Sequence, residues 1–301
     1  MVKRVAVTGS SGLIGGALRR HLTERGDSVL RLVRRAPQGS DELRWDPSRG
    51  ELDESVLSEV DAVVNLAGVG IGDKRWNAEH KQEVERSRTD ATGTVAQALV
   101  RVKEQTGRSI RLVNASAVGY YGDRGDEVLS ERSTAGHDFL AGVVTRWEEA
   151  TEPAIEAGLP VACARTGLVM SPDGGAFSPL LLLGRLGLGG PMGTGREWWP
   201  WITLVDEVAA LTHLVDHDEI TGPVNLVAPT PARQKDIARE LGRALHRPAF
   251  VPAPRFALRA VVGEFADSII ASQRLEPRVL TETGFGFEHA DLRSAVSWLV
   301  R

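Results

Sequence analysis

The stretch Asn114-Ala-Ser-Ala-Val-Gly-Tyr-Tyr-Gly122 holds both tyrosines of a 301-residue chain, with Ser116 just ahead of them. A phenol that reaches a ligand can give or take a proton, and a nearby hydroxyl can orient the reacting oxygen. A phenol with its ordinary pKa of about 10 does this at neutral pH only beside a cation. Arg165 and Arg196 are the side chains that could supply one. Three readings stand for the pair: proton transfer, with Tyr120 the preferred donor, ligand contact without transfer, and packing. An extended backbone would turn the two rings to opposite sides, one toward ligand and one toward core.

A second chemical signal opens the chain. Val5-Ala-Val-Thr-Gly-Ser-Ser-Gly-Leu-Ile-Gly15 sets a strand-like run before glycines at 9, 12 and 15 and a helical pattern after them. Gly9 allows a tight turn, Gly12 lets backbone approach a pyrophosphate, and Gly15 lets helix and strand pack closely. Ser11, Leu13 and Ile14 complete the loop, whose backbone N–H groups and helix dipole suit phosphates. The next strand closes on Arg34 and Arg35 with no carboxylate, where an acidic residue would favour NAD. Guanidinium groups fit a 2′-phosphate instead, so NADP is the expected cofactor. Read blandly, the two arginines only solubilise a loop.

Alternating elements position these groups. Strand patterns fall at 3–7, 28–34, 61–66, 110–114 and 160–166, and helical patterns at 13–25, 79–104 and 139–156. Such alternation predicts an α/β fold of βαβ units, a parallel sheet covered on both faces. Residues 1–170, completed by 202–228, form the expected NADP-binding domain. The Gly- and Pro-rich 171–201 and the mainly helical 229–301 form a smaller substrate lobe. Within that lobe Arg196, Trp198 and Trp199 could wall a substrate site, or the tryptophans could be an apolar hinge.

Composition narrows the rest. At 42% hydrophobic and 25% charged with net charge −4, the chain is globular and offers nucleic acid no basic footprint. Leu180–Leu183 is too short a run to span a membrane. With no secretory signal and a single cysteine, Cys163, a cytoplasmic location is expected. His213 and His217 have metal-pair spacing but no third ligand, Ser171 lacks a nucleophile elbow, and Asp206 and Glu207 read as helix-capping carboxylates.

The segments TGSSGLIG, NLAG at 65–68, RWNAEHKQEVERSR at 75–88, SAVGYYGD at 116–123, RTGLVMSPDGGAF at 165–177 and RLGLGGPMGTGREWWPWI at 185–202 resemble the extended short-chain dehydrogenase/reductases. The similarity is greatest to their atypical "epimerase family" branch and runs over nearly the whole chain. It implies a Rossmann-type doubly wound parallel sheet in which Gly9–Gly15 holds pyrophosphate and Arg34 the 2′-phosphate region, and in which Leu66, Ala67 and Gly68 pass under adenosine. It also implies that Glu83 and Arg88 face the cofactor, that Val169 lies near nicotinamide, and that Ser116 matches the catalytic Ser/Thr. A homodimer is implied by the same analogy.

The chain departs from the family in two places. The helix expected at 136–150 has neither the tyrosine nor the lysine of the usual Tyr-x-x-x-Lys pair, and Asp90 stands where Asn is usual. Two functions therefore compete. One is an NADP-dependent oxidoreductase or epimerase acting on a small polar molecule, possibly a nucleotide sugar. The other is a catalytically silent NADP(H) sensor.

Overall fold

The computed structural model describes residues 2–301. Eight strands form one sheet in the spatial order Gly222–Leu226, Val161–Thr166, Arg111–Ala117, Ala62–Asn65, Arg4–Thr8, Ser28–Val33, Glu42–Asp46 and Glu51–Leu52. All pairings are parallel except the last, an antiparallel edge. The order reverses beside Arg4–Thr8, and ligands of such sheets bind at that switch, outside the strands' carboxyl ends. The Rossmann-type expectation is met.

The central strands read as continuous apolar runs because both faces are covered. On one face Val5, Val7, Val64 and Val113 pack with Leu18 and Leu22 of the helix Leu13–Arg25 and with Leu211 of the helix Leu204–Asp216. On the other, Ala6, Val63 and Leu112 pack with Val95, Leu99 and Val102 of the helix Ala78–Thr106.

Element ends follow local chemistry. The first helix stops at Gly26, whose φ of 95° suits a residue without Cβ. Asn77 and Asp138 cap their helices by accepting from the His80 and Ala141 N–H groups, at 2.7 and 2.9 Å. The pattern read as one helix over 139–156 is two, Phe139–Glu149 and Glu152–Glu156, because Pro153 can begin a helix but not continue one. The sequence reading missed Glu42–Asp46 and Leu168–Met170, which are too short and too charged or flanked to show a period. A third apolar cluster joins Phe177, Leu181, Trp199, Trp201, Ile237 and Leu299 beyond the sheet.

Candidate functional site

The glycine turn is tight in the way phosphate approach requires. Gly9 has φ +60°, and a Cβ there would lie 2.6 Å from the Leu66 carbonyl oxygen. A Cβ on Gly15 would lie 2.3 Å from the Gly9 oxygen. Gly12 opens the helix, and neither a side-chain cap nor a first-turn carboxylate engages its free N–H groups. That helix end stays available to an anion.

The turn is fixed from below by side chains. Thr8 Oγ1 donates to Asn65 Oδ1 at 2.7 Å and accepts from the Leu66 and Ala67 N–H groups at 2.9 and 3.0 Å. Asn65 Nδ2 donates to Thr92 Oγ1 and Asn114 Oδ1, and the Trp147 indole N–H also donates to Thr92, at 2.9 Å. Thr8, Asn65, Thr92 and Asn114 are fully buried, so this satisfied network locks neighbouring strand tips.

The structure brings Leu66, Ala67, Gly68 and Arg88 to this groove. Arg88 approaches Gly68 and Trp147 and donates to the Val69 and Val84 carbonyls at 3.0 and 2.9 Å. Burial lowers its pKa to about 10. The loop bearing Gly174 and Gly175 rests on Leu13, and Gly175 lies beside the Val169 carbonyl. Glu83 stands apart on an exposed face, where Lys74 and His80 hold its carboxyl below the usual range.

The two arginines divide. Arg35 forks onto Glu42 at 2.6 and 2.5 Å and holds that carboxyl down at about 2. Arg34 is exposed, and its guanidinium has no partner among the described residues. A cradle that any Cβ would fill, an uncapped helix end and an uncommitted guanidinium fit a phosphorylated dinucleotide. Gly9, Gly12, Gly15, Leu66–Gly68, Arg34 and Arg88 are the residues that would hold it.

Around Ser116 the arrangement is tighter than the sequence suggested. Its hydroxyl donates to Glu148 Oε1 at 2.5 Å, and the residue is buried. Arg165 clamps Glu148 with bonds of 2.8 and 2.7 Å, reaches Tyr121 Oη at 3.0 Å and lies 3.5 Å from the centre of the Tyr120 ring. The tyrosines sit in a 3-10 turn, Val118–Tyr121, not on an extended strand, and their rings meet edge to face.

Their fates differ. Tyr121 is 0% exposed, donates to Asn225 Oδ1 at 2.6 Å, and burial pushes its pKa up to about 12. A phenol so enclosed cannot meet a substrate, which corrects its candidacy as a proton donor. Tyr120 is half-buried and keeps its hydroxyl outside this network. Glu148 and Asn225 were missed. Glu148 was legible, since it follows the buried Ala141 and Val144 at the i+7 and i+4 spacing of an inward helix face.

A cleft of about 1100 Å³ opens between the helix start at Asp138–Leu140 and the segments 193–197 and 255–272. Arg196 lines it; Trp198 and Trp199 do not. Trp198 gives its indole N–H to Asp126 at 2.7 Å and is stacked by Arg233 and Arg274. Trp199 is buried edge-on against Phe177. The substrate wall expected from these two rings is a polar strut and a core residue, while Trp76 and Phe139 supply the aromatic wall instead.

Two family profiles account for most of the chain. "NAD dependent epimerase/dehydratase family" matches residues 5–226, and a domain of unknown function, DUF1731, matches 253–299. The chain belongs to the NAD dependent epimerase/dehydratase family. An epimerase family protein of Mycobacterium bovis is 43% identical over 98% of this chain and 96% of its own. The crystal structure of human epimerase family protein SDR39U1 with NADPH superimposes with TM-score 0.88 at 32% identity, covering 99% of each chain. A nucleoside-diphosphate sugar epimerase structure from Corynebacterium glutamicum gives TM-score 0.81 at 34% identity, covering 100% of this chain and 58% of that one. Among the described residues no helix is long and apolar enough to cross a membrane, and no cluster of three or more His, Cys, Asp or Glu could hold a metal.

Proposed function

We propose that the protein is an NADP(H)-dependent oxidoreductase or epimerase acting on a small polar substrate. The observation that carries this reading is the Arg165 cluster beside the glycine turn. The Arg165 guanidinium lies 3.5 Å from the Tyr120 ring centre, a cation beside a phenol that has no lysine partner on the neighbouring helix. The NADPH complex of the human relative supports the choice of cofactor.

When bound, the nicotinamide gives or takes the hydride. The chain's own groups do the rest. The glycine turn and Arg34 bind phosphates, the buried Ser116 holds Glu148 and through it Arg165 in place, and Tyr120 Oη moves the proton. A nucleotide-linked sugar is the substrate class suggested by the C. glutamicum protein's name.

The test is to titrate the purified protein with NADPH and then follow absorbance loss or epimerised product over carbonyl compounds and sugars. Turnover that collapses in Tyr120→Phe supports the proposal. Tight NADPH binding without turnover across the panel would replace it by the silent sensor, the alternative favoured by the absent Tyr-x-x-x-Lys pair.

A further inference from the structure

The 1100 Å³ cleft looks basic at first reading, but its charges are already spent. Five cationic and six anionic side chains line it. Lys81 is held by Glu264, Arg233 by Asp126 at 3.0 Å, and Arg255 and Arg259 share Asp267. Of the five, only Arg196 has a guanidinium without a partner among the described residues. Three further carboxylates line the same space, and Asp123 and Asp138 have acceptor capacity to spare, whereas the free oxygen of Glu197 is buried. Asp123 accepts the Gly125 and Ser272 N–H groups at 3.3 and 3.1 Å, Asp138 caps a helix, and Glu197 accepts from Thr194.

A nucleoside diphosphate brings two adjoining negative charges. Seating it here means displacing a carboxylate from an arginine or setting phosphate beside one, and like charges brought together cost affinity. Hydroxyl groups meet the opposite situation, because ionised carboxylates accept their protons through several lone-pair sites. Trp76 and Phe139 meet edge to face, 5.2 Å apart at their ring centres with the Lys81 ammonium over both, and add apolar surface for the C–H groups of a ring.

We propose that the cleft admits one anionic group at most, on Arg196, and serves a hydroxyl-rich neutral or singly charged substrate, not a nucleoside diphosphate. The inference rests on the reading of the cleft as the substrate site, and it sets aside the nucleotide-linked sugar that the C. glutamicum protein's name suggests.

The test uses full-length protein saturated with NADPH, so that the cofactor groove is filled, with UDP as the diphosphate probe in calorimetry. Wild type should bind UDP no tighter than the millimolar range. Asp126→Asn, which releases Arg233, should tighten it by about tenfold or more, and adding Arg196→Ala should remove that gain. The Asp126 side chain is 72% exposed, so the fold tolerates the change; Asp267→Asn, which frees two arginines, is the second variant. Micromolar UDP binding to wild type that Arg196→Ala abolishes would overturn the proposal. So would UDP binding that stays absent in both variants, since shape and not charge would then be the barrier. Failure to saturate with NADPH would instead sink the cofactor assignment, and it is read in the same titration.

Discussion

The Arg165 guanidinium touches Glu148, Tyr121 and the Tyr120 ring at once, and Ser116 joins it through Glu148. Conservative changes at the two tyrosines should therefore separate. Tyr121→Phe leaves Asn225 and Arg165 each short of a buried partner and should lower unfolding stability by about 1–3 kcal/mol, read by denaturant titration. Tyr120→Phe should leave stability nearly unchanged and abolish turnover. The paired arginines should separate likewise. Arg34→Ala should weaken NADPH by about tenfold with NADH unchanged, as one charge-assisted phosphate contact would. Arg35→Ala should act mainly on folding, because its guanidinium already serves Glu42.

Glu207 gives a pH signature. It is wholly buried with Oε2 unpaired, and burial raises its pKa from 4.5 to about 8 against a single bond from Thr166. A raised folded value means the neutral form is the one stabilised. That contribution is complete below about pH 4.5 and is lost as pH climbs through 8. Stability should fall between these limits by at most about 1.4 kcal/mol per pH unit from this group, and Glu207→Gln should flatten the slope.

At the scale of elements, the strand–turn–helix from Arg4 to Arg25 is the one that would bear the cofactor in the proposed function. Gly15→Ala drives a Cβ to within 2.3 Å of backbone oxygen and should cost about 1–3 kcal/mol along with NADPH binding. Gly12→Ala meets only the Gly9 oxygen at 3.3 Å and should spare the fold more while still filling the phosphate approach. The first helix was legible residue for residue from its period and from Gly26. The 139–156 helix was not, since its break depends on one proline within a continuous helical pattern. The second lobe's tail is pinned by Asp206, which accepts from Thr203, Glu288 and His289 at 2.8, 2.7 and 3.1 Å. Its reading as a helix cap is corrected, because Thr203 caps that helix and the Asp206 carboxylate serves Thr203 and the tail, of which local sequence held no sign.

For the whole molecule, cofactor and fold are linked by mass action: a ligand that binds only the native state raises its stability by about 2.7 kcal/mol at a hundredfold excess over Kd. NADPH should therefore raise the melting temperature more than NADH at equal concentration, and Arg34→Ala should erase the difference. An equal shift from both nucleotides would remove the 2′-phosphate assignment.

The order of glycines and the alternation of apolar runs determined the fold class and the tight glycine turn. These signals are local, written in backbone conformation and periodicity within a few tens of residues. Which tyrosine is sealed, which tryptophan is core and which arginine is uncommitted were decided only in three dimensions. A side chain's solvation and charge partners come from strands and helices a hundred residues away, as Tyr121 finds Asn225 and Arg233 finds Asp126.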